Sequence, residues 1–251
     1  MAKSRKRILK MKILSILLLF TLFSCNKEES VFKITSETIE KDIVHELKNL
    51  KNLPPSALLY NDENYEVWNS CFGEWGGSVY FKNKKTGKVF ATFSQCAVSV
   101  NKINGKYYIS NSLSHLQGSC NIIEISNPEK LQPVLKTPIF NPEIETREFE
   151  TESKIGTKTL VDSFGTEIKT SFIYQNKLYS ILKNSEDIKA TISEIKNNKF
   201  VPVEELPENL LNNEPLIIRK GENHQVLYFQ APKSGTLEIK NNRIKITYYK
   251  K

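Results

Sequence analysis

The chain has 251 residues, with 36 basic and 28 acidic side chains and a formal net charge of +8. Six of the 36 basic residues lie within the first 24 positions, so 30 basic and 28 acidic residues remain downstream, a charge of about +2. That near balance gives no electrostatic reason to expect a nucleic-acid partner. The chain beyond position 24 is long enough for one sizeable domain.

The first segment is a basic head followed by an apolar run. The head contains Lys3, Arg5, Lys6, Arg7, Lys10 and Lys12. Residues 13–23 are apolar except for Ser15 and Thr21, which is the length of a signal-peptide core, whereas a membrane span needs about 20 apolar residues. We therefore expect residues 1–24 to be a signal peptide. A secretory signal without a lipid and an uncleaved anchor helix are the alternatives.

The apolar run ends at Leu22-Phe23-Ser24-Cys25, which resembles the lipobox of bacterial lipoproteins. In that pattern a small residue precedes the cysteine that is lipidated and becomes the first residue of the mature chain. Phe23 is bulkier than the pattern usually has at its position. The resemblance implies lipidation of Cys25, and several acyl chains give durable anchoring to a membrane.

The residues after Cys25 indicate where the anchor lies. Lys27, Glu28 and Glu29 are similar to the surface-export signal of lipoproteins in Bacteroidetes-type bacteria. This resemblance implies an outer-membrane lipoprotein at the cell surface. The alternatives are the periplasmic face of the outer membrane and a plain charged tether, and residues 25–35 form the tether in either case.

Residues 36–251 are predicted to form a single, mainly β domain with one N-terminal helix. Ile39, Ile43, Leu47 and Leu50 recur at helical spacing, so the pattern predicts a helix over residues 36–50, ended by the prolines at 54 and 55. This amphipathic stripe either packs on its own domain or binds a partner.

Beyond residue 57 the hydrophobic period becomes two, which predicts β-strands. The expected strands cover residues 65–69, 77–82, 89–94, 97–103, 106–111, 121–126, 131–135, 169–175, 178–183, 190–196, 200–204, 216–219, 225–231, 235–240 and 243–249. Asn104-Gly105 predicts a tight hairpin because its turn needs positive φ at both positions. Residues 137–165 are rich in glutamate and are interpreted as a solvated edge strand or loop.

Residues 100–135 and 172–206 share a pattern of strand, polar turn, Lys-x-Tyr strand, Ile-rich strand and Pro-Val. Antiparallel strands recurring in units of about 40 residues resemble the blades of a β-propeller. The resemblance implies four or five blades, with no named propeller signature. A β-sandwich or a barrel is the alternative.

Three cysteines follow Cys25, and in an oxidising compartment they allow one disulfide. We favour Cys71 with Cys96, because a hairpin centred on residues 84–87 brings those strand ends opposite each other. The other pairings, and unpaired thiols, remain open, as does the role of Cys120. The cysteine spacings match no metal site, and we expect no metal and no cofactor.

Aromatic residues and one histidine are the candidate binding residues. Trp68, Phe72 and Trp75 cluster beside two glycines and could stack on a ligand or form core packing. His115 lies in a predicted loop, as a solvated side chain or as part of a site. We find no nucleophile elbow, Walker A or dinucleotide-binding motif.

The absence of a catalytic motif favours a non-enzymatic binding or scaffolding role at the cell envelope, with a protein or glycan partner and no nucleic acid. The alternative is an envelope hydrolase of glycan or peptide, in which Glu74, Asp62 or Asp162 would meet His115 in a pocket. Two carboxylates in a deep pocket would favour the hydrolase, and scattered polar groups in a shallow one would favour binding.

Overall fold

The structure is a computed structural model. It describes residues 30–42, 58–71, 76–115, 117–135, 150–184, 189–207, 215–221, 223–230 and 233–250. The described part is all-β apart from one short 3₁₀ helix at Pro128–Lys130, so the all-β prediction is confirmed. No helix in these ranges is long and apolar enough to cross a membrane.

The described strands form four sheets. Sheet I contains β2 (Leu58–Asn61), β3 (Tyr65–Asn69), β4 (Gly77–Asn83), β5 (Val89–Ser94) and β9 (Gln132–Val134). Sheet II contains β6 (Ala97–Ile103), β7 (Lys106–Leu113), β8 (Ser119–Ile125) and β10 (Thr157–Phe164). Sheet III contains β11 (Thr166–Tyr174), β12 (Lys177–Asn184), β13 (Thr191–Lys196) and β14 (Lys199–Glu205). Sheet IV contains β15 (Leu216–Gly221), β16 (His224–Phe229), β17 (Ser234–Lys240), β18 (Arg243–Lys250) and β1 (Lys33–Glu40).

Neighbouring strands pair antiparallel, except that β1 pairs in parallel with β18. Two-residue turns connect several hairpins. Both central residues have positive φ in the turns Asn104-Gly105, Gln175-Asn176 and Asn197-Asn198. Such turns match the right-handed twist of the flanking strands, and asparagine and glycine adopt positive φ at low cost.

The helix prediction is wrong over residues 36–40, which belong to β1. The prediction for residues 43–50 lies outside the described residues. Phe32, just before β1, is buried and packs edge-on against Phe172 and Tyr179 of sheet III. Burial of Phe32 places the next residues along the open edge of β18. Strand pairing there overrides a helical pattern whose own propensity is weak.

Three hydrophobic clusters lie between successive sheets. One joins sheets I and II around Val67, Phe81 and Ile109. Another joins sheets II and III around Ile122 and Ile168. The last joins sheets III and IV and includes Phe32.

Buried polar side chains link sheets II, III and IV. Ser171 of β11 receives hydrogen bonds from Ser110 at 2.7 Å and, at its carbonyl, from Asn101 at 3.2 Å. Gln225 of β16 accepts a bond from Thr170 at 3.1 Å. Because buried polar groups cost free energy unless paired, these bonds fix how the sheets meet.

Candidate functional site

A cavity of about 500 Å³ opens between sheets II and III, at the tips of three hairpins. We call it the turn cleft. Its floor is apolar and is formed by Ile103, Leu160, Leu178 and Ile195, which also contribute to the cluster between these two sheets. Its polar groups come from the turns and from the strands beside them. An apolar cavity with a few convergent polar groups is the usual form of a ligand site.

The rim of the turn cleft carries four asparagines, Asn104, Asn176, Asn197 and Asn198. All four are exposed and have positive φ, so the turn geometry itself holds them at the rim. Their side-chain amides make no hydrogen bond within the described part of the chain. Each amide offers two donors and an acceptor to a ligand.

One wall of the turn cleft carries Tyr108, whose hydroxyl donates to Glu124 at 3.2 Å. Burial, followed by the nearby Glu124 charge, raises the pKa of Tyr108. Burial acts to raise the pKa of Glu124 as well, but hydrogen bonds from Lys106 and Tyr108 outweigh it and hold that pKa below its usual value. The wall therefore presents a neutral tyrosine ring backed by an ionised carboxylate.

Glu194 is the carboxylate that lines the turn cleft. Lys196 contacts it at 2.5 Å and Lys177 at 3.7 Å, and only 12% of the Glu194 side chain is exposed. The oxygens of Glu194 can accept hydrogen bonds from a ligand. No second carboxylate lines this cleft among the described residues.

Two further cavities are lined by described residues. One of about 660 Å³ runs along β1 and β18, where Glu37 is paired with Lys245 at 2.9 Å and Lys233 lies over the ring of Tyr248. Another of about 280 Å³ lies between β10 and β14 and includes Asp162. In the larger cavity Glu37 and Lys233 already contact Lys245 and Tyr248, whereas the rim amides of the turn cleft have no hydrogen-bond partner within the described residues, which makes the turn cleft the better candidate site.

The predicted aromatic cluster is described only in part. Trp68 lies on β3 and stacks on Tyr80 of β4, with ring centroids 5.5 Å apart. Phe72 and Trp75 lie outside the described residues. A Cβ on Gly77 would overlap the carbonyl of Ser70, so this glycine serves the close approach of two backbone segments.

A disulfide joins Cys71 and Cys96, the pair that the sequence favoured, with Cα atoms 5.2 Å apart. Cys120 is a free, buried thiol on β8. Burial, with smaller contributions from the charges of Asp162 and Glu167, raises its pKa to about 12. Cys120 is therefore an unreactive core residue.

Asp62 and Asp162, the acids considered for hydrolysis that the structure describes, share none of these cavities with His115. Asp62 is held in the turn before β3 by Lys102 and Tyr107, each at 2.7 Å. Asp162 lies in the smallest of the three cavities, and Glu74 is outside the described residues. His115 is exposed in the loop after β7 and lines none of these cavities.

No group of three or more His, Cys, Asp or Glu side chains is arranged to hold a metal in the described ranges. Lys27, Glu28, Glu29 and Cys25 lie outside those ranges. The site that the sequence did not identify is the set of turn asparagines. Its signal lies in the polar turns of the two similar segments, which the sequence pattern identifies only as chain reversals.

Comparison with known proteins gives no relative from which a function could be transferred. No protein-family model matches the chain. No curated protein and no solved structure matches it either.

Proposed function

We propose that this protein is a lipid-anchored lipoprotein of the bacterial cell envelope that binds a glycan through the turn cleft without catalysing its cleavage. The observation that carries the binding role is the rim of four asparagine amides with no hydrogen-bond partner in the described chain, set over an apolar floor. Planar amides, a tyrosine and a carboxylate match the hydroxyl groups of sugars, and the apolar floor matches their ring faces.

The anchor rests on the sequence. The basic head, the short apolar run and the lipobox-like residues before Cys25 support export and lipidation. The disulfide between Cys71 and Cys96 supports the same compartment, because such bonds persist mainly in oxidising environments. Lys27, Glu28 and Glu29 support placement at the cell surface, with the periplasmic face of the outer membrane as the alternative.

The architecture that presents the cleft is a four-bladed propeller. Each sheet is built largely from consecutive strands, and apolar clusters join sheet I to II, II to III and III to IV. Arg219 of sheet IV lies over the ring of Tyr60 in sheet I, 5.7 Å from its centroid, which supports a ring that returns to its start. The pairing of β1 with β18 ties the beginning of the domain to its last strand.

Binding is tested by titrating the purified protein with soluble neutral polysaccharides, such as dextran, xylan and mannan, in a calorimeter. The double variant Asn176→Gly and Asn198→Gly removes two rim amides while keeping positive φ accessible. Each lost hydrogen bond costs about 1 kcal/mol, so affinity should fall roughly tenfold or more.

Asn241→Gly is the matched control, because Asn241 has a φ of 55° in the turn between β17 and β18, away from the turn cleft. It should bind as the natural chain does. If no polysaccharide binds the folded protein, or if the control loses affinity to the same extent, the glycan-binding proposal is wrong.

The anchor is tested separately by growing cells with radiolabelled fatty acid. Label should enter the natural chain and be absent from the Cys25→Ala variant. Replacing Lys27, Glu28 and Glu29 with alanine should reduce cleavage by protease added to whole cells. Label in the Cys25→Ala variant would refute the anchor, and unchanged cleavage would refute the surface-export signal.

A further inference from the structure

The end of sheet IV at which β1 begins carries aligned basic side chains. Lys33 lies opposite Arg243, Arg243 lies opposite Lys240, and Lys240 lies opposite His224. Residues directly opposite each other on neighbouring strands project from the same face of a sheet. With strands about 4.8 Å apart, these four positions span roughly 15 Å. We call them the basic row. Lys220, next to the pair of Gly221 and His224, adds a charge at the same end.

The lysines and the arginine of the basic row have no ionic partner among the residues that the structure describes. Lys33, Lys240 and Arg243 are exposed, and none of them pairs with an acid within the described residues. Glu222, in the turn before His224, lies outside the described residues. Like charges directly opposite each other destabilise a sheet, so the row opposes folding.

The same sheet balances charge beside the basic row and at its histidine. Lys245 bonds Glu37 at 2.9 Å, and Glu238 lies 2.6 Å from His224. Within the described residues, Lys33, Lys240 and Arg243 are thus basic side chains of this end of sheet IV that no paired acid compensates. An external partner of opposite charge would compensate it.

The covalent chain identifies which partner is near. Lys33 is the eighth residue after Cys25, a reach of roughly 28 Å when the chain is fully extended. If Cys25 carries lipid, the bilayer surface is within that distance of the basic row. Its lipid phosphates are the nearest concentrated negative charge.

We infer that the basic row is an electrostatic contact with the phosphate groups of anionic lipids in the bilayer that holds the anchor. This inference rests on the lipid anchor of the proposed function. Each basic side chain near an anionic surface favours the surface-bound state by roughly fivefold. The acyl chains hold the protein at the membrane, and the row turns this end of sheet IV toward it.

The test uses the protein purified from membranes and reconstituted into phosphatidylcholine vesicles with or without phosphatidylglycerol. Hydrogen exchange followed by mass spectrometry reports on the turns at residues 220–224 and 240–243. Exchange there should be about fivefold slower or more in the anionic vesicles. The slowing should disappear when salt rises from about 0.1 M to about 1 M, because the Debye length falls from about 10 Å to about 3 Å.

The variant K33Q, K220Q, K240Q and R243Q should show no slowing. The matched control K84Q, K85Q, K88Q and K130Q removes the same charge from exposed positions near sheet I and should retain the slowing. Equal exchange rates in both kinds of vesicle would overturn the inferred lipid contact. Loss of the slowing in the control variant near sheet I would overturn it as well.

The mass of the N-terminal peptide separates this inference from the anchor. If the peptide is lipidated but the turns are unprotected, the lipid contact of the basic row is wrong and the anchor stands. A peptide without lipid overturns the proposed anchor, whatever the exchange rates show.

Discussion

At the scale of single residues, the carboxylate of Asp62 stabilises the fold. The carboxylate of Asp62 accepts bonds from the backbone N–H of Asn64 and Tyr65, from Tyr107 and from Lys102. Burial acts to raise the pKa of Asp62, but these bonds outweigh burial and keep that pKa below its usual 3.8. The hydrolase role considered for Asp62 needs a free acid, and here its oxygens are occupied.

Lys102→Met should destabilise the protein by removing the cation that compensates Asp62. The Asp62 side chain is 6% exposed and that of Lys102 is 22% exposed, so a loss of about 2 kcal/mol is expected. Urea unfolding at neutral pH measures it. Lys82→Met breaks the exposed pair with Glu66 and should cost less than about 1 kcal/mol. Equal losses in the two variants would contradict this role for Asp62.

The same pair makes stability depend on pH. A carboxyl group with a lowered pKa in the folded state stabilises the fold above its unfolded pKa of 3.8, and this contribution is lost as pH falls through the folded pKa. Without Lys102 the folded pKa of Asp62 rises, so acid unfolding should begin at higher pH. Circular dichroism during acid titration measures the shift, and Lys82→Met should leave the transition in place.

At the scale of elements, β1 is stabilised by what precedes it rather than by its own buried face. Most of its residues are exposed, whereas Phe32 just before it is 2% exposed and packs among three rings of sheet III. The strand is therefore secured at its start by one side chain and along its length by pairing with β18.

Phe32→Ala should cost about 3–5 kcal/mol because it leaves a cavity in the cluster between sheets III and IV. Denaturant unfolding gives this value, and hydrogen exchange should show faster opening of β1. Ile39→Ala, near the other end of the same strand, removes a side chain that is 38% exposed and should cost less than about 1 kcal/mol. A small effect at Phe32 would mean that β1 is held by other contacts.

At the scale of the whole molecule, the sheets are joined by polar bonds as well as by apolar packing. Gln225 of sheet IV is 4% exposed, accepts from Thr170 and reaches the carbonyl of Ser171 in sheet III. Ser171 in turn bonds to Ser110 and Ser180. One glutamine thus ties sheet IV to a polar network that includes sheets II and III.

Gln225→Leu should destabilise the protein by about 1–3 kcal/mol, because the hydroxyl of Thr170 loses its acceptor in a buried setting. The thermal unfolding transition, followed with two spectroscopic probes, should also broaden if sheet IV opens before sheets II and III. Gln132→Leu on exposed β9 is the control and should have little effect. An unchanged transition in Gln225→Leu would show that the bonds of Gln225 do not help to join sheet IV to sheet III.

The sequence by itself determined the strands and the tight turns. Fifteen of the eighteen described strands lie where alternation predicted them, because alternation and turn chemistry are local properties read within a few residues. The predicted edge strand or loop at residues 137–165 includes β10. The favoured pairing of Cys71 with Cys96 followed from the hairpin between them, which is also a local feature.

Only the tertiary structure decided which conformation residues 36–40 adopt and where the candidate site lies. A helical pattern became a strand because the open edge of β18 supplied partners that no local pattern contains. The turn cleft unites tips from residues 104, 176 and 197–198, which are distant in sequence and meet because sheets II and III pack together. Local propensity specifies which residues extend and where the chain turns. A binding surface arises from contacts between segments that only folding brings together.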